Sequence, residues 1–179
     1  MPRQIFTFTE PERFIVGTVG QPGERVFYLQ TKQGAQVVSV ALEKLQAQVL
    51  AERLDQLLDE VRRRGSEIPV VGDLEDVAPL DQPIMEEFRV GTMSLAWDEE
   101  GSVVVIEAHA QTEDGADVPD EDDAEGPDML RVSITAAYAR SFVKRAQRVV
   151  QAGRPPCPLC GLPLDPEGHI CPRQNGHRH

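Results

Sequence analysis

Two stretches of this chain start alike and continue alike. "RFIVGTVGQPGERVFYLQT" begins at Arg13 and "EFRVGTMSLAWDEEGSVVVIEA" at Glu87, and both open with Phe-x-Val-Gly-Thr. Each then passes through a turn-rich stretch, "GQPGE" or "DEEG", into a second run of β-branched residues. A third run follows in each half, "AQVVSVAL" in the first and "MLRVSIT" in the second. Alternation of apolar and polar residues between turn signals predicts strands for all six.

Each third strand is followed by a helical pattern. In the first half Leu45, Val49, Leu54, Leu57, Leu58 and Val61 recur at three- and four-residue steps. They predict a helix over roughly Leu42 to Arg64, with Gly65 as its C′ residue. In the second half Ala139, Phe142, Val143, Ala146, Val149 and Val150 form one stripe, which predicts a helix from about Ala136 to Gln151. Pro155 and Pro156 forbid its continuation past Gly153.

The expected architecture is therefore α+β, with β-β-β-α occurring twice and an extra strand at Ile5 to Phe8. The body occupies 1–153, in halves of about 1–68 and 84–153 joined by a Pro-rich linker at 69–83. Each half leaves a sheet face uncovered, so the two must pack together.

At 179 residues there is room for one such body and a small appendage. The net charge of −12 is unevenly spread, because Glu113 to Asp128 holds nine acids and no base. Without that segment 21 acids face 18 bases, a balance of about −3. Nine carboxylates cannot be desolvated together, so 113–128 is expected to be an acidic surface insertion between the last two strands. From Arg140 onward the balance reverses, with seven basic residues against Asp165 and Glu167. No apolar run approaches the length of a membrane span. The opening "MPRQIFTFTEPERF" carries no signal-peptide pattern, and the expected location is the cytoplasm.

All three cysteines lie in the last 23 residues, "CPLCGLPLDPEGHICPRQNGHRH". Cys157 and Cys160 form C-x-x-C, whose thiolates can turn back on one metal ion, with Gly161 supplying the needed backbone freedom. His169 and Cys171 are spaced i and i+2, so on an extended chain they point to one side and complete a tetrahedral Cys₃His site. His177 is the alternative fourth ligand. A redox role for C-x-x-C fits poorly, since such pairs open a helix after a strand and this one sits in a proline-broken coil. Four ligands within 15 residues describe a closed, structural site for one Zn²⁺, not a catalytic one with an open position. The metal would serve as the core of a zinc ribbon over 154–179.

Other patterns fail on their chemistry. The acidic segment lacks the Gly and terminal Glu of a calcium loop. "GTVGQPG" lacks the Lys-Ser/Thr of a phosphate loop and reads as a hairpin turn. His109 continues the alternation of Val103, Val105 and Glu107 and is expected to face solvent, while Trp97 is expected at the edge of the core. With one histidine outside the tail, no Ser/His/Asp or Cys/His arrangement can be assembled.

The Phe-x-Val-Gly-Thr openings, the turn-rich hairpins, the acidic insertion and the ending "CPLCGLPLDPEGHICPRQNG" resemble a family of uncharacterised actinobacterial proteins. These are grouped as a domain of unknown function and sometimes termed repeat proteins. The resemblance implies Cys157, Cys160, His169 and Cys171 as the ligand set, followed by Pro172, Arg173, Asn175 and Gly176, and it implies no activity. The functional expectation is a non-enzymatic adaptor or regulatory protein that presents Arg154, Arg173, Asn175 and Arg178 to a macromolecular partner, expected to be a protein. The alternative is a nucleic-acid-binding protein that uses the ribbon and the basic second helix. An enzyme with a pocket between the halves ranks third. Oligomeric state is not legible in the sequence.

Overall fold

A computed structural model of the chain describes residues 3–21, 23–65, 76–112 and 126–152. The elements are β1 (Ile5–Phe8), β2 (Arg13–Val19), β3 (Val26–Gln33), β4 (Gln36–Leu42), α1 (Lys44–Arg63), β5 (Glu86–Asp98), β6 (Val103–Ala110), β7 (Met129–Thr135) and α2 (Ala136–Gln151). Among the described residues the fold is thus mixed α and β, with seven strands and two helices.

Helix termini follow local chemistry. Glu43 donates its backbone N–H to Gln46 Oε1 at 2.7 Å, which starts α1. Gly65, just past its end, has φ +93°, a conformation that favours glycine, as expected for a C′ residue. Thr135 caps α2 by accepting the Tyr138 N–H at 3.1 Å.

All strands join one sheet in the order β1-β7-β6-β5-β4-β3-β2. The halves are connected through β4 and β5, which run parallel over a short register, Ser39 with Glu86 and Ala41 with Arg89. This sheet cannot be flat. Its edge strands β1 and β2 are separated by only the chain from Phe8 to Arg13, which spans at most roughly 18 Å. Seven flat strands would put those edges about 29 Å apart. The sheet therefore curls, and α2 touches β2 near one edge as well as β6 and β7 near the other. Both helices lie in the resulting hollow and pack on each other.

The hollow holds the core. Phe14 stacks on Phe142 with ring centroids 4.6 Å apart. Val16, Leu29, Val40, Val104, Ile106, Val132 and Ile134 line the sheet side, and Leu50, Leu54, Leu58, Phe142 and Val143 the helix side. The matching pentapeptides use their shared residues alike: Val16 and Val90 point into the core, and Gly17 and Gly91 admit a close crossing. A Cβ on Gly17 would meet Leu80 at 2.5 Å, and one on Gly91 would meet the Gln111 backbone at 2.9 Å.

Candidate functional site

Every residue expected to bind metal lies outside the described residues: Cys157, Cys160, His169, Cys171 and the alternative His177. So do Arg154, Arg173, Asn175 and Arg178. Among the described residues no group of three or more His, Cys, Asp or Glu side chains could hold a metal ion. The acidic insertion is placed by its flanks, since β6 ends at Ala110 and β7 starts at Met129, and 113–125 lies outside the described residues.

The body carries a groove of about 500 Å³ between α1 and β5. Leu45, Val49, Leu50 and Arg53 line its helix side, and Gly91, Met93 and Leu95 its strand side. Leu45 is 67% exposed and Val49 38% exposed, so these two members of the apolar period do not join the buried face of α1. The helix instead buries Ala47, Leu50, Ala51, Leu54, Leu58 and Val61. The small side chains of Ala47 and Ala51 turn that face inward, and Leu45 and Val49 rotate out over the groove. Gln46 fixes the groove's inner end, because its amide donates to the carbonyls of Val90 at 3.0 Å and Gly91 at 3.1 Å. An apolar trough with one guanidinium in its lining suits apolar side chains of a partner rather than chemistry on a polar substrate.

A second cluster is polar and closed. Residues 76–83 of the linker do not merely connect the halves. Arg13 clamps Asp76 through two hydrogen bonds at 2.6 and 3.0 Å and reaches Asp81 at 3.0 Å. Leu80 is buried against Gly17, and the Gln30 side chain bonds both the N–H and the carbonyl of Asp81. Arg145, 4% exposed, extends from α2 to the carbonyls of Val16, Asp76 and Ala78. Burial works against the Asp76 charge, but hydrogen bonds from Arg13 and the Ala78 N–H outweigh it and hold the carboxyl below its usual range. The neighbouring cavity, lined by Phe14, Asp76, Tyr138 and Arg145 among others, is about 10 Å³, too small for a ligand. The cluster holds the linker down.

Trp97 sits half-buried at the rim of the core, as expected. His109 does not face solvent: it is 6% exposed, because the N-terminal segment folds over it. Arg3 lies 3.4 Å from His109 Nδ1 and donates to the Pro127 carbonyl, while Glu107 lies 3.9 Å from Nε2. Burial first, then Arg3 and Arg131, lower the His109 pKa.

The basic character of α2 is partly spent inside the protein. Arg140 pairs with Asp55 and, at 2.9 Å, with Asp59 on α1, and Arg145 is the buried anchor described above. The site that sequence reasoning missed is the groove. Its signal was "TMSLAW", an uncharged alternating run in a strand that outlasts its neighbour β4.

No match is found among curated proteins or among solved structures. A family model does match, over residues 6–171, and it takes in the body from Phe6 onward and the tail through Cys171. The chain belongs to the DUF3090 family, proteins of unknown function.

Proposed function

We propose that this protein is a non-enzymatic cytoplasmic adaptor or regulatory protein whose tail binds a macromolecular partner, a protein. In this reading residues 154–179 fold around one structural Zn²⁺ held by Cys157, Cys160, His169 and Cys171, and present Arg154, Arg173, Asn175 and Arg178. The observation that carries it is the ligand spacing: three cysteines and a histidine within 15 residues, in a stretch too poor in apolar residues to fold without a metal. His169 is preferred over His177 because the family match runs through Cys171 and stops short of His177. A protein partner is preferred to nucleic acid because Arg140 and Arg145 of α2 are engaged within the body. The repeated Phe-x-Val-Gly-Thr and the repeated element order support an origin of the body by duplication.

Metal analysis of the purified chain should give about one zinc per molecule, falling in Cys157→Ser and Cys171→Ser while the body keeps its circular dichroism. Protein purified under reducing conditions without zinc would sink the ribbon. Loss of zinc in His177→Ala but not His169→Ala would reverse the choice of fourth ligand. Partner capture that resists nuclease supports the adaptor. Retention on DNA or RNA that falls steeply with salt, and is lost on Arg173→Ala and Arg178→Ala, would replace it with the nucleic-acid reading.

A further inference from the structure

The groove lies along an open sheet edge. Strand β4 pairs with β5 only at Glu86 and Arg89 and stops at Leu42, whereas β5 continues to Asp98. Gln46 serves as the substitute partner for Val90 and Gly91. Beyond it, among the described residues, Met93 to Asp98 pair with β6 alone.

The direction of the unpaired groups follows from register. Ala110 donates to Asp128, on the β7 side of β6, and Gln111 donates to Arg89, on the β5 side. Alternation along an antiparallel strand then turns Glu107, Val105 and Val103 toward β5, where they face Ser94, Ala96 and Asp98. The N–H and C=O groups of Met93, Leu95 and Trp97 therefore point away from β6, into the open edge. The side chains of the same three residues pack on the core side, beside the groove.

Open edges are normally guarded by charge, proline or a covering element. Strand β2 is guarded: its Phe14 N–H donates to Tyr138 Oη at 2.8 Å and its Val16 carbonyl accepts from Arg145 at 2.9 Å. From Val90 to Trp97 strand β5 has neither charge nor proline.

We propose that β5 pairs with β5 of a second copy of this chain, antiparallel, about a two-fold axis at Leu95. The register is self-complementary. Leu95 faces its own copy, and Met93 faces Trp97 in both directions, so all six outward backbone groups of each strand are satisfied at once. The apolar side chains meet across the axis on the core side, next to Leu45 and Val49, and the partner's Trp97 and Leu95 fill the groove. On the other face Ser94 meets Ala96, small against small. Asp98 falls opposite Thr92 and not opposite its own copy, which keeps two acidic chains from setting carboxylates face to face. The interface goes beyond the adaptor reading and does not rest on it.

The test uses the full-length protein and charges at two exposed positions on the outer face. Ser94→Lys with Ala96→Lys sets lysine opposite lysine twice across the axis, whereas Ser94→Lys with Ala96→Glu sets lysine opposite glutamate twice. Light scattering should give twice the 19.8 kDa chain mass for the unmodified protein and for the Lys/Glu variant. The Lys/Lys variant should dissociate with a Kd raised about tenfold or more. Hydrogen exchange should protect the Met93, Leu95 and Trp97 amides in the dimer and release them in the Lys/Lys variant, with Ser94 and Ala96 protected in both. An unmodified protein that is monomeric overturns the proposal. Slow exchange at the three amides of that monomer would assign the edge to another segment of the same chain. A dimer that survives in the Lys/Lys variant with unchanged affinity also overturns it.

Discussion

Strands β2 and β5 meet the same problem and solve it differently. Each exposes a row of backbone groups on one side, and each carries Phe-x-Val-Gly-Thr. On β2 the row is closed by α2, through Tyr138 and Arg145, and Arg13 draws the linker at Asp76 and Asp81 against the strand, with Leu80 over Gly17. On β5 the Gln46 side chain takes the carbonyls of Val90 and Gly91, and among the described residues the remainder of that edge has no partner strand and lies beside an apolar groove. The same local sequence thus becomes an internal seam in one half and a surface in the other. What differs is whether a charged or hydroxyl-bearing helix residue reaches the edge.

The sharpest way to break the contrast is to unguard β2. Arg145→Leu removes a buried guanidinium that serves three carbonyls and neighbours Asp76 at 3.5 Å, and should cost about 3 kcal/mol in denaturant unfolding. If the loss stays below about 1 kcal/mol, the seam is not held by this residue. A smaller effect is expected where the linker meets the strand. Leu80→Ala should cost about 2 kcal/mol, and Gly17→Ala, whose new Cβ would run into Leu80, about 1–3 kcal/mol. The double variant should cost clearly less than the two losses added, because the second change makes room for the first. Simple additivity would mean that the crossing is not the constraint.

The smallest effect concerns pH. His109 has a folded pKa below 6.5, so in the window beneath that value the unfolded chain binds more protons than the folded one. Its contribution is complete above pH 6.5 and is lost as the pH falls, when a third cation appears beside Arg3 and Arg131, near the Glu107 carboxylate. Urea titrations at pH 7 and 5.5 should differ by less in His109→Asn than in the unmodified protein. An equal difference in both would place the acid sensitivity elsewhere.

The residues made the elements legible because their signals are local. The stripe of α2, its Ala136 start and the proline stop beyond it, and the β-branched runs between turns, each sit within a dozen residues. Burial phase was less legible. In α1 Leu45 and Val49 are as apolar as Leu50 and Leu54, and the face that turns inward was chosen by the alanines that let the helix approach its neighbours. His109 obeys the alternation, but the face it occupies is roofed by Arg3, from a segment 106 residues away in the chain. The single sheet depends on the β4–β5 register, and the docked linker on Arg13 meeting Asp76, both products of distant residues coming together. For the tail the situation is reversed: ligand spacing is readable in the sequence, and those residues lie outside the described part of the structure.

Strand β1 has a consequence for how the molecule is made. It pairs in parallel with β7, Ile5 beside Met129 and Phe8 beside Val132, so it can be seated only after β7 has emerged. On the ribosome β1, made before the rest of the sheet, is thus among the last strands to find its place, and the curled sheet cannot be closed while the second half is still being translated. A tag fused directly ahead of β1 would ride on that waiting strand. The cost of an unseated β1 would appear as slow maturation before it appeared as lost stability.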